Sequence, residues 1–191
     1  YALDPSVSSF IQWLPPKAAE ACCTYLPKYH SSEANVLGST YVKQVDVGLS
    51  DWMTGPEILI STKTMSRAFG KNLGNRFEEA YGDAKNLRGR HPLASLGFFF
   101  VINAQIAYEQ NSLEKAVAML DRLQRNEDAY DATSILLVSW NNNENACIAA
   151  ENGKIPMRLS PELFFKHIIK TTLDRSAIDA HRAVRDHFPS D

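Results

Sequence analysis

The order in which apolar patterns follow one another constrains the fold of this chain more than any other feature. Alternating residues over 41–49 predict one strand, and the β-branched run 57–63 predicts a second. Turn-forming residues 50–56 separate the two runs, so the pair is predicted to form a hairpin. A helix is predicted next, because apolar residues recur there at spacings of three and four. These residues are Phe69, Leu73, Phe77, Ala80 and Ala84.

Two strongly apolar runs, 96–102 and 132–140, follow this helix and are typical of strands that are buried in a sheet. An amphipathic segment lies between them and predicts a helix over 112–125 with Ser112 as its N-cap. Residues 146–150 predict a short strand, and Ser160-Pro161-Glu162 begins a final helix that is predicted through Leu173, with an extension to Val184 left open. This order of strands and helices predicts a single mixed α/β domain.

The first forty residues carry helical signals. Residues 6–14 and 17–26 have helical patterns that end at prolines, and 33–37 are predicted to add a helical turn. We therefore divide the domain, residues 1–191, into a helical N-terminal part (1–40), a core (41–140) and a C-terminal strand and helix (141–191). Because the first residue is Tyr1 and not Met, we expect the domain to belong to a longer chain.

Charge and composition exclude several classes of protein. Twenty basic residues against 22 acidic residues give a net charge of −2, so any DNA-binding surface must be local. The longest apolar run, 93–106, is shorter than the roughly 20 residues that cross a bilayer, and we expect no membrane span. The three cysteines lack the spacing of a zinc site, and no secretion signal is visible. We therefore expect a reducing, cytoplasmic location.

The predicted hairpin brings together residue types that suit phosphodiester chemistry. With its turn centred near Met53 and Thr54, antiparallel pairing places Asp46 opposite Ser61, so that both share one face with Lys63. A carboxylate beside an ammonium at a strand end can hold a hard divalent cation and polarise a water molecule. Hydrolysis of a phosphodiester needs both of these.

At these residues the chain resembles the PD-(D/E)XK nuclease superfamily, which has the restriction-endonuclease-like fold. Members carry a metal-binding Asp on one hairpin strand and Asp/Glu-x-Lys at the end of the next, followed by a helix. The element order over 33–140 is similar to that core, with the helix after Ser66 as the family's helix. The resemblance implies a three-layer α/β core whose central mixed sheet is flanked by helices.

Two positions depart from the family pattern. Val45 stands where the family motif has the Pro that precedes its Asp, and Ser61 stands where the second metal-binding carboxylate belongs. The chain resembles in this respect a subgroup of restriction enzymes that carry Ser-x-Lys and recruit a Glu from the following helix about four turns later. Glu78 and Glu79 lie close to that spacing after Lys63.

Glu78 is the predicted choice, because it falls on one polar stripe with Arg67 and Lys71, opposite the apolar stripe of the helix. Glu57, at the mouth of the hairpin, and Glu33, in the segment before it, are alternative carboxylates.

The resemblance implies a type II restriction-like, metal-dependent deoxyribonuclease that acts on double-stranded DNA. Asp46 and Glu78 would bind Mg²⁺ or Mn²⁺, and Lys63 would orient the attacking water and stabilise the developing charge. Ser61 would hydrogen-bond a metal-bound water. Many members cut both strands as dimers, so the resemblance is compatible with a homodimer, and the residues themselves leave the oligomeric state open.

The charge pattern fits a polyanionic ligand. Residues 63–91 contain seven Lys or Arg and three acids, a net charge of +4, which leaves −6 for the remainder. Arg67, Lys71, Arg88 and Arg90 are predicted to contact DNA phosphates.

Other readings of the same residues stay open. Asp46 and Lys63 also fit a surface ion pair, and the basic segment also fits a solvated helix and loop. A non-catalytic DNA-binding domain, in which Ser61 marks a decayed site, is one alternative function. A protein-interaction domain whose basic segment meets an acidic partner is the other.

Overall fold

The computed structural model describes residues 16–17, 30–31, 34–51, 54–141, 146–149 and 152–188. The helices predicted within residues 6–26 therefore lie outside the described residues, except at 16–17. Glu33 and Met53 also lie outside them.

The described residues form eight strands in two sheets. The main sheet has the order β1-β4-β5-β6-β7-β8, and β2 pairs with β3 in a separate two-stranded sheet. Strands β5, β6 and β7 are parallel, whereas β1, β4 and β8 join antiparallel, so the main sheet is mixed. The strands are β1 (His30–Ser31), β2 (Ala34–Leu37), β3 (Val42–Val45), β4 (Val47–Asp51), β5 (Gly55–Met65), β6 (Ser95–Asn103), β7 (Ala132–Asn141) and β8 (Ala146–Ala149).

Helices cover both faces of the main sheet. Helix α1 (Phe69–Arg90) connects β5 to β6, and α2 (Ser112–Arg125) connects β6 to β7. Because both crossovers advance in the same direction across parallel strands, they lie on the same face. Helix α3 (Pro161–Arg175) covers the other face, and α4 (Arg182–Arg185) follows it. The chain thus has the predicted α/β class, with a mixed sheet flanked by helices.

Two hydrophobic clusters mark the two interfaces of the sheet. On the α1 and α2 face, Leu59, Phe98 and Phe100 pack against apolar residues of both helices. On the other face, Ile60 packs with Phe164 and Ile168 of α3. Among the described residues, no helix is long and apolar enough to cross a membrane.

Several predicted elements are confirmed with small changes at their ends. The buried strands, α1, α2 and the short strand β8 lie where the patterns placed them. Ser160 caps α3 by accepting a hydrogen bond from the Leu163 N–H at 3.3 Å. This helix ends at Arg175 and does not continue to Val184, which lies in the separate helix α4. The N-cap of α2 is Asn111, in the left-handed conformation, and not Ser112.

Two predictions near the N-terminus of the core were wrong. Residues 34–37 form strand β2 and not a helical turn, because they pair with β3 along their whole length. The single strand predicted over 41–49 is broken at Asp46 into β3 and β4, which belong to different sheets. The alternating pattern continues through Asp46, so it carries no sign of the break.

Asn86 of α1 holds the turn between β2 and β3. Its Oδ1 accepts hydrogen bonds from the Thr40 and Tyr41 N–H groups at 2.8 and 3.1 Å, and its Nδ2 donates to the Tyr41 carbonyl at 2.9 Å. Gly38 lies so close that a Cβ atom there would be 2.1 Å from Asn86 Nδ2. A side chain at position 38 would displace the Asn86 amide from these hydrogen bonds, so glycine suits this contact between the β2–β3 hairpin and α1.

Asp131, just before β7, joins the ends of several elements. It accepts hydrogen bonds from Arg88 of α1 at 2.7 Å, from Arg175 of α3 at 2.7 and 3.0 Å, and from the Leu96 N–H of β6 at 2.8 Å. Both arginines also donate to the Ala94 carbonyl. This Asp131 network therefore connects helices from both faces at one end of the sheet.

We predict that Asp131→Asn destabilises the fold at neutral pH by about 2–3 kcal/mol, because two partly buried arginines lose their shared counter-charge. Burial opposes ionisation of Asp131, but hydrogen bonds from Arg175, the Leu96 N–H and Arg88 hold the pKa of its carboxyl below the usual value. The stabilisation is then present above the unfolded-state pKa of about 3.9, and it is lost as the pH falls through the folded-state pKa.

Urea denaturation of the wild type and the variant between pH 7 and pH 3 measures this difference. Asp128→Asn, at an exposed carboxylate that pairs with Lys85, is the control and should leave the midpoint unchanged at pH 7. A wild-type midpoint for Asp131→Asn at pH 7 would contradict the prediction.

Candidate functional site

Asp46 lies at the break between β3 and β4 and is bound to the backbone of β5. Its N–H donates to the Ile60 carbonyl at 3.1 Å, and its Oδ2 accepts a hydrogen bond from the Thr62 N–H at 2.6 Å. The Asp46 carboxylate thus accepts the Thr62 N–H, which in a continuous antiparallel ladder would donate to a backbone carbonyl of the neighbouring strand. Val47 pairs with Ile60, so the next position in this register places Asp46 opposite Ser61, as predicted.

Ser61 and Lys63 lie on the face of β5 that α1 covers. Leu59 and Met65, the alternate residues on either side of them, belong to the core beneath α1. Ser61 is 2% exposed, and its hydroxyl oxygen has no solvent-accessible surface to offer a ligand. The Lys63 ammonium, which is partly exposed, lies 3.2 Å from the carboxylate of Glu79.

Glu79, and not Glu78, is the α1 carboxylate that reaches Lys63. It also accepts a hydrogen bond from Arg76 at 2.6 Å. Burial opposes its ionisation, but the hydrogen bonds from Arg76 and Lys63 keep the pKa of Glu79 below its usual value. Glu78 is exposed on the outer side of the same helix. The predicted polar stripe of α1, to which Lys71 and Glu78 belong, therefore faces outward. The neighbouring side of the helix, which carries Glu79, faces β5.

One turn further along α1, Asp83 makes a second polar contact with the β2–β3 hairpin. Its side chain is nearly buried, lies 2.5 Å from the Lys43 ammonium and accepts a hydrogen bond from the Tyr41 hydroxyl at 2.9 Å. Burial, followed by this hydrogen bond and the negative charge of Asp83, raises the pKa of Tyr41 to about 12. The tyrosine is therefore a hydrogen-bond donor at all ordinary pH values.

The sequence analysis missed Asp83, Lys43 and Tyr41. The spacing of four between Glu79 and Asp83 was a signal for a shared helix face. The partners of Asp83 come from the hairpin, whose position depends on the long-range contacts of Asn86. We call this row of contacts the polar flank of α1. It consists of Arg76, Glu79 and Asp83 of α1, and its carboxylates pair with Lys43 and Lys63 of the strands.

The carboxylates of the site are too few to hold a hard divalent cation by themselves. They suit such an ion only if oxygen atoms of the substrate and water supply the remaining ligands. Among the described residues, no three His, Cys, Asp or Glu side chains are close enough to hold a metal ion. Mg²⁺ is commonly bound by one or two carboxylates together with water and phosphate oxygens. Asp46 and Glu79 could supply two such carboxylates, and each already has a partner in Thr62 or Lys63.

The four predicted phosphate-binding residues do not form one patch. Arg67 and Lys71 are exposed at the start of α1, whereas Arg90 is exposed at its end, about 30 Å away along the helix. Arg88 points inward and donates to Asp131 and to the carbonyls of residues 92, 94 and 129. Its guanidinium is a structural group, and a phosphate role for it is not supported.

Basic residues of α2 extend the surface at the start of α1. A groove between the two helices has an apolar floor that includes Leu73, Phe77 and Met119. Lys115 and Arg122 line it from the α2 side, and both are exposed. We call Arg67, Lys71, Lys115 and Arg122 the α1–α2 basic surface.

Glu57 lies apart from Lys63, at the beginning of the same strand. It is 8% exposed, accepts a hydrogen bond from the Thr54 hydroxyl at 2.7 Å and lies 3.2 Å from His181 Nε2. Lys63 is six positions further along the strand, a distance of about 20 Å. Glu57 therefore does not complete a site at Lys63, and the alternative Glu33 lies outside the described residues.

The chain matches no protein-family model, no curated protein and no solved structure. A function for it must therefore be inferred from the contacts of the site itself.

Proposed function

We propose that the protein is a metal-dependent DNA endonuclease with the restriction-endonuclease-like fold. The observation that carries the proposal is the Lys63–Glu79 contact between β5 and α1, next to a strand break where Asp46 is held opposite Ser61. An acid and an ammonium on neighbouring elements, beside a second acid, are the groups that metal-assisted hydrolysis of a phosphodiester needs. Glu79 takes the role that the sequence pattern gave to Glu78.

The topology of the main sheet supports this fold. Strand β4 pairs antiparallel with β5, α1 follows β5, and β6 returns parallel to it. This is the order of elements on which the resemblance to the PD-(D/E)XK superfamily rests. The two predicted site strands are thus neighbours in the sheet, and the helix that supplies Glu79 packs on their shared face.

The side chains of the site have distinct roles in the proposed reaction. Asp46 and Glu79 would hold Mg²⁺ or Mn²⁺, which would supply a water of lowered pKa and neutralise the scissile phosphate. Lys63 orients the attacking water and stabilises the charge that develops on the phosphate. Ser61 is buried behind Lys63, so it supports the site from within and does not contact the DNA.

The proposed substrate is double-stranded DNA, bound through the α1–α2 basic surface. Its four cations are exposed just before α1, on the first turn of α1 and on α2. Cations in this arrangement bind the phosphate backbone without regard to base sequence.

A non-catalytic DNA-binding domain is the second candidate. The observation that favours it is that both carboxylates already have partners, Asp46 in the β5 backbone and Glu79 in two cations. On this reading the same contacts only stabilise the fold, and Ser61 marks a site that has lost its second carboxylate.

We predict that Lys63→Ala lowers the rate of duplex cleavage by at least about 100-fold while DNA binding remains measurable. Asp46→Asn should have a similar effect, and it is preferred to alanine because the amide oxygen can still accept the Thr62 N–H. Glu79→Gln should lower the rate at least about tenfold. Glu78→Gln is the matched control and should leave the rate unchanged.

Single-turnover cleavage of a duplex with Mg²⁺ or Mn²⁺, beside thermal unfolding of each variant, measures these effects. Loss of activity in Glu78→Gln with full activity in Glu79→Gln would return the role to Glu78. A folded wild-type protein that binds DNA but is inert with every divalent ion would favour the non-catalytic candidate.

We also predict that Arg67→Ala combined with Lys71→Ala weakens binding to all duplex sequences alike. Each lost phosphate contact removes about 0.9 from the slope of log affinity against log salt, so the slope should fall by about 1 to 2. A salt titration by fluorescence anisotropy measures it. Arg90→Ala, at the far end of α1, is the control, and an unchanged slope in the double variant would place the DNA elsewhere.

A further inference from the structure

The groove between α1 and α2 has an apolar floor that the proposed DNA binding does not use. Both helices connect neighbouring parallel strands on one face of the sheet, so they run parallel to each other. The groove follows them for about two turns, roughly 10 Å, and has a volume of about 290 Å³. The phosphates of DNA bind cations and do not fill an apolar groove, whereas exposed apolar surface with a polar rim is typical of a protein-binding site.

The two walls of the groove have matching patterns. On each helix the lining residues recur at spacings of three and four, so each set lies on one helix face. The set on α1 is Gly70, Leu73, Gly74 and Phe77, and the set on α2 is Lys115, Ala118, Met119 and Arg122. At Gly74 the groove is open, because a Cβ atom there would meet no other atom within 4 Å. The groove can therefore receive the side chains of a further helix that lies along it.

The cations of the groove have no acidic partners. Lys115 and Arg122 line it from α2, and Lys71 is exposed three positions before Gly74 on α1. In the part of the chain that the structure describes, none of these three cations makes an ion pair. Arg76 of α1, by contrast, pairs with an acid. Unpaired cations beside an apolar floor complement a ligand that is both apolar and acidic.

Two acids near the groove indicate how such a ligand would lie. Glu109 accepts a hydrogen bond from the Gly70 N–H at 3.0 Å, which places a negative charge at the start of α1. Glu78 is exposed on α1, four positions after Gly74. Because both negative charges lie beside α1, the acidic residues of a ligand would turn toward α2 and its two cations.

We propose that the α1–α2 groove binds an acidic amphipathic helix of a partner protein. Apolar side chains at every third or fourth position of the partner helix fill the groove, and its acidic side chains pair with Lys115 and Arg122. These cations belong to the α1–α2 basic surface, so the partner helix competes with duplex DNA. The competition rests on the proposed function, whereas the docking does not.

A stapled helical peptide of about 15 residues is the probe for docking, with leucines at every third or fourth position and glutamates on either side of them. We expect it to bind the wild-type protein with a micromolar Kd in fluorescence anisotropy. Gly74→Leu fills the groove and should weaken binding at least about tenfold. It should not lower Tm, because leucine is a better helix former than glycine and its Cβ atom has free space at this position.

Gly82→Leu is the matched control for the groove. It is a second position of α1 where a Cβ atom would meet no other atom within 4 Å, and it does not line the groove. This variant should bind the peptide as the wild type does. Equal binding by Gly74→Leu and the wild type would overturn the docking, and so would a glutamate peptide that does not bind the wild-type protein.

Two changes test the charge of the partner. Lys115→Ala combined with Arg122→Ala removes the cations from the protein, and a peptide with glutamines in place of glutamates removes the acids from the probe. Each change should weaken binding at least about fivefold and reduce its dependence on salt. Equal binding of the glutamate and glutamine peptides would overturn the acidic partner.

The competition with DNA has its own readout. The glutamate peptide should release a labelled duplex from the wild-type protein but not from Gly74→Leu, which keeps every cation of the α1–α2 basic surface. A peptide that docks without releasing DNA would overturn the competition. A protein that binds no DNA would overturn the proposed function and the competition together, while the affinity of the peptide still decides whether the groove docks a helix.

Discussion

The carboxylate of Asp131 is the contact on which the arrangement of the layers depends. Arg88 lies in the last turn of the helix on one face of the sheet, Arg175 ends the helix on the other face, and both donate to this carboxylate. The Leu96 N–H also donates to it, which ties the start of β6 to the same carboxylate. Since a charge shared by two arginines must stay paired once it is desolvated, the two helices cannot shift independently along the sheet. The position of α1 is therefore set at its C-terminal end, away from the candidate site.

This fixed helix determines which polar groups meet. With the last turns of α1 held by Arg88 and Asn86, its polar flank faces the hairpin and β5 at successive turns. The carboxylates of Asp83 and Glu79 each meet a lysine from a strand. Such pairs are strong in a partly buried setting, because water competes less for them. The site is thus built on a helix and a strand, which hold side chains more firmly than loops do.

The sequence predicted the elements whose signals are local. The hairpin register followed from alternation and turn position, and the long helices followed from their apolar spacing. Other features depend on distant contacts. The strand break depends on the bond from Thr62 to Asp46, and the inward direction of Arg88 depends on acceptors in the residues around β6 and β7. The spacing of residues along α1 was enough to predict its polar side. It did not show which acid of that side reaches β5, because this depends on how the helix packs on the sheet, and the contact is made by Glu79.

The Lys63–Glu79 contact has a consequence for any metal at this site. A divalent ion on Glu79 competes with the Lys63 ammonium for the same carboxylate, since both are cations and the contact distance is 3.2 Å. Without DNA, the ammonium and Arg76 neutralise Glu79, so a metal would gain little there. A phosphate at the site would add negative charge, and Lys63 could then pair with the phosphate while Glu79 held the metal. On the proposed function, metal and DNA would therefore bind cooperatively, and Lys63 would exchange the Glu79 carboxylate for a phosphate.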